Sequence, residues 1–444
     1  MKILKEIYIP PAFYRYLIVI AALFAIGFFI DPVLLIAKIA LGLFILFFIT
    51  DLILIFQEKR DILLVREIPE RFSNGDDNDV QIYIKSQKPF PVNISIYDEV
   101  PAQFQLRDFR IDLKLNALEE KKIRYSLKPL ARGEYSFGYT NLIYTTVLGL
   151  AGRRKRFGRE SETVAVYPSF LRMRKYELLA ISNRLSEVGV KRVRRIGTHS
   201  EFDQIKDYVK GDNYRTINWK ATAKLNKLMV NQYQEERSQH VYNVIDKGRL
   251  MQLPFNGMSL LDYSINSSLI VSSICLQKHD KAGLVSFNRH IDTFLRAERK
   301  NETTTKILEH LYKQETGFYE SDYELLAAQL NRRISQRSLL ILYTNFETLS
   351  SLQRNINYFR SLARNHVLLV VIFENEEIKA ISRYKADTLE EVYVQTIAQK
   401  HIHDKKLIVR ELMKNGIYSV LCRPEDLSSG LINKYLELKD TGRF

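Results

Sequence analysis

The run GTHSEFDQIKDYVKGDNYRTINWKATAKLNKL, residues 197–228, decides how the chain divides. It contains the only tryptophan, Trp219, of 444 residues. It opens on Gly197, turns at Gly211 and Asp212, and then crowds Tyr214, Arg215, Ile217 and Trp219 into one short span. Glycine permits a left-handed turn, and an aspartate before a helix can cap its free amides. Arg215 then falls one helical turn before Trp219, a spacing that suits stacking of guanidinium on indole, with Glu201 and Asp207 as candidate partners. Two roles fit: a capped helix whose aromatics pin a linker, and an exposed surface on which another protein docks.

Upstream, residues 13–30 and 33–56 form two apolar runs separated by Asp31-Pro32, each close to the roughly 20 residues that a bilayer requires. A cleaved secretory signal has a short apolar core and a small-residue cleavage site, and the second long run argues against one. Residues 1–58 are therefore expected to form a transmembrane hairpin. Lys2, Lys5 and Arg15 precede the first run, Lys59, Arg60 and Arg66 follow the second, and the connecting loop has no positive charge. The positive-inside rule places both ends and the soluble domains in the cytoplasm. Lys38 and Asp51 lie in or near the second run and are expected to snorkel or to contact a neighbouring helix.

From 59 to 170 the pattern changes to period two. VQIYIKS (80–86), VNISIYDEV (92–100), FRIDLKL (109–115) and KKIRYSLKPL (121–130) alternate between apolar and polar residues and are broken by Pro, Gly, Asn and Asp. This predicts antiparallel strands in a sandwich-like domain. Arg132-Gly133-Glu134-Tyr135 reads as a hairpin turn, and Arg153-Arg154-Lys155-Arg156 as a solvated loop or a headgroup contact. A basic helical stretch with Lys191, Arg192, Arg194 and Arg195 leads into the opening run, so 171–239 is expected to be a linker segment.

From 240 to 444 apolar strand candidates (241–246, 282–287, 338–346, 366–373 and 418–422) alternate with helical patterns (260–277, 303–313, 323–334, 349–364 and 389–413). That order predicts a parallel, doubly wound sheet whose ligands bind at the carboxyl ends of its strands. The first strand ends at Asp246. A von Willebrand factor A-type domain begins its metal site there with Asp-x-Ser-x-Ser, but Gly248 and Leu250 occupy the serine positions and offer no side-chain oxygen. A later strand ends in Thr344-Asn345, where a second aspartate would stand. Asp246, Gly248, Leu250 and Asn345 are thus a degenerate metal site, and no bound metal is expected, although Mg²⁺ at Asp246 is the alternative. Ser259 and Asp262 read as a capping box. His401 and His403 are two apart on a helix and face different ways.

At this length two or three domains are expected. A formal charge of +15 implies an anionic partner. The basic residues are interspersed with acids and lack aromatic platforms between them, which disfavours nucleic acid. Two cysteines, Cys275 and Cys422, in so long a chain suggest a reducing compartment. No nucleophile elbow, phosphate loop or zinc-protease motif appears, and no catalytic residue is assigned.

Glu201-Phe202, Tyr208, Gly211-Asp212, Arg215, Ile217, Trp219 and residues 221–224 together resemble the pattern of the bacterial domain-of-unknown-function 58 family. The resemblance implies an N-terminal membrane hairpin, a β-rich segment carrying a turn like that at Arg132, and a von Willebrand factor A-like α/β domain over 240–444. It also implies a non-enzymatic adaptor or assembly factor in the bacterial inner membrane, working with a MoxR-type AAA+ ATPase in complex maturation or envelope stress. A cryptic metal-dependent hydrolase at Asp246 is the rival expectation.

Overall fold

The computed structural model describes residues 6–57, 61–181, 200–209, 212, 214–235, 238–300, 302–384 and 388–442, with the backbone alone at 181, 200–204 and 232–235. Lys191, Arg192, Arg194, Arg195, Gly197 and Gly211 lie outside them. The chain forms two compact units, Met1–Val166 and Tyr167–Phe444.

The first unit opens with β1 (Ile7–Tyr8) and the apolar helices α1 (Pro11–Gly27) and α2 (Asp31–Ile55). Both carry a proline in the first turn, Pro11 and Pro32, which is tolerated where the first amides lack intrahelical acceptors. Gly27 lets them approach: a Cβ there would lie 2.8 Å from the Leu34 Cα. The Phe13 ring packs 5.1 Å from Phe44 and 5.2 Å from Phe48. Helix α2 is long and apolar enough to cross a membrane, and α1 is a shorter apolar helix.

Ten further strands follow: β2 (Ile62–Glu67), β3 (Arg71–Ser73), β4 (Asn78–Ser86), β5 (Val92–Asp98), β6 (Arg110–Leu115), β7 (Glu120–Leu127), β8 (Gly133–Phe137), β9 (Thr140–Thr146), β10 (Gly152–Phe157) and β11 (Glu162–Tyr167). They pair as β1-β10-β9-β5-β6, β3-β11-β8 and β2-β4-β7. The period-two reading is visible in β4, where Val80, Ile82 and Ile84 are buried, each contributing about 1.5–3 kcal/mol. Gly133 adopts φ 126, which a side chain resists, and the Tyr135 hydroxyl donates to the Ala131 carbonyl at 2.9 Å, closing the expected turn.

Two expectations for this unit are corrected. The apolar helices do not form a domain separate from the sandwich. Ile55 lies in the sandwich core, and Asp51, neither snorkelling nor facing another helix, is buried and accepts the Leu150 and Ala151 amides at 3.0 and 2.8 Å. Lys88, also buried, donates to the Leu54, Ile55 and Gln57 carbonyls at 3.2, 2.8 and 3.2 Å, so an ammonium caps the end of α2. The basic run at 153–156 is not a loop but part of β10. Arg153 is buried and bonds Asp61 at 3.0 Å and Glu6 at 2.7 Å. Burial acts to raise the Asp61 carboxyl, but hydrogen bonds from Lys155, Tyr144 and the Ile62 amide outweigh it and hold it below its ordinary range.

The second unit begins with α3 (Phe170–Ile181), followed by β12 (Ser200–Asp207), α4 (Trp219–Leu225) and β13 (Met229–Glu235). It continues with β14 (His240–Asp246), a small hairpin of β15 (Pro254–Phe255) and β16 (Met258–Ser259), α5 (Leu260–Gln277), β17 (Lys281–Phe287), β18 (Ile291–Glu298), α6 (Thr303–Tyr312) and α7 (Tyr323–Arg333). Last come β19 (Leu339–Tyr343), α8 (Leu349–Asn365), β20 (Val367–Phe373), α9 (Glu376–Arg383), α10 (Leu389–Lys414), β21 (Tyr418–Cys422) and α11 (Leu427–Asp440).

The main sheet runs β18-β17-β14-β19-β20-β21, parallel except for the β18 edge. One face packs on α3, α5, α6 and α11, the other on α7, α8 and α10. Because both faces are covered, β20 reads as an unbroken apolar run and is wholly buried. Ser259 and Asp262 form the capping box of α5. The linker assignment over 171–239 is corrected at its start: Met173 and Ala180 of α3 lie in the core of this unit, because the apolar side of α3 covers α5.

Candidate functional site

Strand β14 delivers Asp246, buried, to its carboxyl end. Its Oδ1 accepts the Gly248 amide at 2.7 Å and the Ser321 hydroxyl, and its Oδ2 accepts the Tyr323 and Thr344 hydroxyls at 2.8 and 2.7 Å. Burial, reinforced by the Asp246 charge, pushes the Tyr323 hydroxyl well above its ordinary range, so it keeps the proton that it donates. The carboxylate is thus solvated by neutral donors fixed on three segments of the chain.

At position 248 the serine of the metal-site pattern would have to displace the Ser321 hydroxyl. A Cβ on Gly248 would lie 2.1 Å from the Ser321 Oγ. The hydroxyl that the pattern places in the first loop arrives instead from residue 321, far along the chain, where no local spacing marks it. Leu250 and Asn345 line the same cavity of about 380 Å³ as Asp246 and Gly248. The Asn345 Oδ1 is held by the Lys405 ammonium of α10 at 2.5 Å, and the same nitrogen donates to the Phe346 carbonyl at 2.7 Å. Burial lowers Lys405 to about 8. A fixed ammonium on the Asn345 oxygen, together with a carboxylate whose two oxygens are already taken, does not fit a divalent cation at these positions. Lys405 was not foreseen, since one lysine in a long amphipathic helix reads as solvated.

His401 and His403 lie on α10 about 200° apart around its axis, His401 half-buried and His403 exposed. Arg249 and Glu320 face each other across 3.6 Å at the cavity mouth, both exposed. Thr348 caps α8 by accepting the Ser351 amide at 3.3 Å.

The motif stretch is a separate two-stranded hairpin, β12 with β13, whose connection carries a short 3-10 turn (Tyr214–Thr216) and then α4. Glu201 and Phe202 lie on β12, opposite Gln234 and Tyr233. The Tyr208 amide donates to the Leu228 carbonyl at 2.8 Å. Asp212 does not cap the helix: its carboxylate accepts the Val209 amide at 3.0 Å and pairs with Lys206 at 3.1 Å, closing a turn six residues before the cap. Asn218 is the cap, accepting the Ala221 amide at 3.0 Å. The break at Ile217, which bridges to Val230, takes Arg215 and Trp219 off one helix, and the Arg215 guanidinium lies over the Tyr214 ring at 5.9 Å instead of the indole. Tyr214 and Trp219 are exposed.

These features define a mixed α/β protein of two units, one bearing an apolar membrane-length helix and the other carrying a hydrogen-bonded polar cluster and an exposed motif hairpin. Residues 204–394 match the model of the family described as Protein of unknown function DUF58. The resemblance read from the motif is met over that span. A relative in Bacillus subtilis (strain 168), Uncharacterized protein YeaD, is 25% identical over 181 residues, covering 39% of this chain and 44% of its own length. This chain therefore spans less than half of that relative. Among solved structures, the conserved hypothetical protein BatB from Bacteroides thetaiotaomicron is similar at 10% identity and a TM-score of 0.29, covering 46% of this chain and 100% of its own. The ASH / PapD-like domain of human CEP192 is similar at 10% identity and a TM-score of 0.18, covering 24% of this chain and 83% of its own.

Proposed function

We propose that this protein is a non-enzymatic, membrane-anchored adaptor whose α/β unit binds other proteins. In this reading α1 and α2 form a two-pass hairpin with both ends in the cytoplasm, the α/β unit is von Willebrand factor A-like, and the partner is an AAA+ ATPase of the MoxR type, as the family resemblance implies. The observation that carries it is the outer face of α10. Leu389 and Tyr393 are 90% and 70% exposed and, with exposed Ile397, follow one another at four-residue spacing. Beside them Ile381, Tyr384 and Val394 line an open groove of about 670 Å³ between α9 and α10. An apolar stripe next to an apolar groove suits an amphipathic helix from another protein. The closed hydrogen bonding of Asp246 supports a structural role for that cluster and disfavours the metal-dependent hydrolase.

The test is affinity capture with the detergent-solubilised full chain, wild type against Leu389→Glu with Tyr393→Glu. Wild type should retain an AAA+ ATPase and the variant should lose it at least tenfold. Equal retention by both sinks the docking face, and retention of no AAA+ ATPase by either sinks the partner.

A further inference from the structure

The hairpin that carries the family motif differs from the α9–α10 face in both shape and charge. Among the described residues it is a two-stranded ribbon, with Ile217 bridged to Val230 of β13, topped by a two-turn helix. Trp219 and Tyr214 are each 69% exposed there, beside exposed Val209, Leu225 and Leu228. Around them stand Arg215, Lys220, Lys224 and Lys227, all exposed, whereas between Val209 and Leu228 the described residues include one acid, Asp212, already tied to Lys206. Four bases against one acid leave these described residues at +3.

We infer that this tip rests on an anionic lipid surface, with Trp219 and Tyr214 at headgroup depth and the four basic side chains against lipid phosphate. Tryptophan and tyrosine prefer that depth because the ring is apolar and its N–H or O–H needs a polar partner. Each basic side chain near an anionic leaflet adds to the attraction, which falls with added salt. An exposed aromatic tip ringed by bases fits a flat, deformable surface, whereas a protein helix requires a groove such as the one between α9 and α10. The apolar helices keep the chain at a bilayer, so even weak headgroup contacts are populated through high effective concentration. The inference rests on the membrane anchoring proposed above and is independent of the protein partner.

Trp219 is the sole tryptophan, so emission from the intact chain reports on the tip alone. The full chain is inserted in nanodiscs of phosphatidylcholine, or of equal parts phosphatidylcholine and phosphatidylglycerol, with and without bromine-labelled acyl chains. The expected result is a blue shift and bromine quenching in anionic discs, both reversed by high salt and both lost when Lys220, Lys224 and Lys227 are replaced by Glu. A chain that inserts but emits identically in neutral and anionic discs overturns the inference and leaves the anchor standing, as does a blue shift that appears only when a soluble protein is added. A shift that survives the triple replacement also overturns it. A chain that fails to insert overturns the anchoring and this inference together.

Discussion

Around Asp246 and around Trp219 the chain gathers the same kinds of side chain, hydroxyls, aromatics and charges, and puts them to opposite uses. At Asp246 the carboxylate is buried, each of its oxygens has two donors, and the nearby amide of Asn345 is held by an ammonium from a distant helix. At Trp219 the aromatic rings face outward and the bases stand beside them in solvent. The first arrangement ties both carboxylate oxygens to neutral donors at the end of the sheet. The second leaves aromatic rings and basic side chains at the surface. A position that a family pattern marks as a binding site can therefore be the most structural place in a fold, and a run that reads as a linker can be the most available surface.

The contrast breaks most readily at Asp246. Replacing Asp246 with Leu leaves the Gly248 amide and the Ser321, Tyr323 and Thr344 hydroxyls without their acceptor, and each buried orphan costs about 1–3 kcal/mol. The expected loss is about 3–5 kcal/mol in chemical denaturation of the solubilised chain, enough to unfold the α/β unit in mild denaturant. If Asp246→Leu retains wild-type stability, the cluster is not the structural device described above.

Lys405 offers a finer test through pH. Its folded value of about 8 lies below its ordinary 10.5, so between those limits the unfolded chain binds the extra proton. Where the unfolded state binds more protons, stability increases with pH, and this lysine should add roughly 3 kcal/mol between pH 8 and 10.5. Denaturation midpoints followed over that window should rise in wild type relative to Lys405→Met, which lacks the titrating group. Parallel curves would show that the ammonium is not buried at Asn345.

The smallest effect is expected at the hairpin. Trp219→Ala removes a ring that packs on little, so stability should stay within about 0.5 kcal/mol of wild type. A loss comparable with that at Asp246 would mean that the indole is part of a core and that the contrast between the two regions is wrong.

The α/β order of the second unit was legible because covered parallel strands read as unbroken apolar runs and their helices keep a 3.6 period; β14, β17, β19, β20 and β21 fall on the runs that announced them. Strand β18 was missed, since an edge strand such as IDTFLRAE alternates charges with apolar residues and resembles a loop. The hairpin of β12 and β13 was missed because its strands are polar and its Gly and Asn punctuation suits a linker equally well. In the first unit the alternation along β4 was plain, but the seam joining α2 to the sandwich was not. Asp51 and Lys88 each look like an isolated charge until the chain brings the Leu150 amide to one and the Ile55 carbonyl to the other.

By itself, then, the amino-acid sequence determined which stretches are apolar, with what period, and which family pattern the motif matches, because these depend on near neighbours. Which charge is neutralised, and by what, was left to the tertiary structure. Ser321 fills the space above Gly248, Lys405 reaches Asn345 from another helix, and Asn218 takes the capping role expected of Asp212. A buried polar group must find a partner wherever the fold supplies one, and such partners are set by distance in space, which no local spacing encodes.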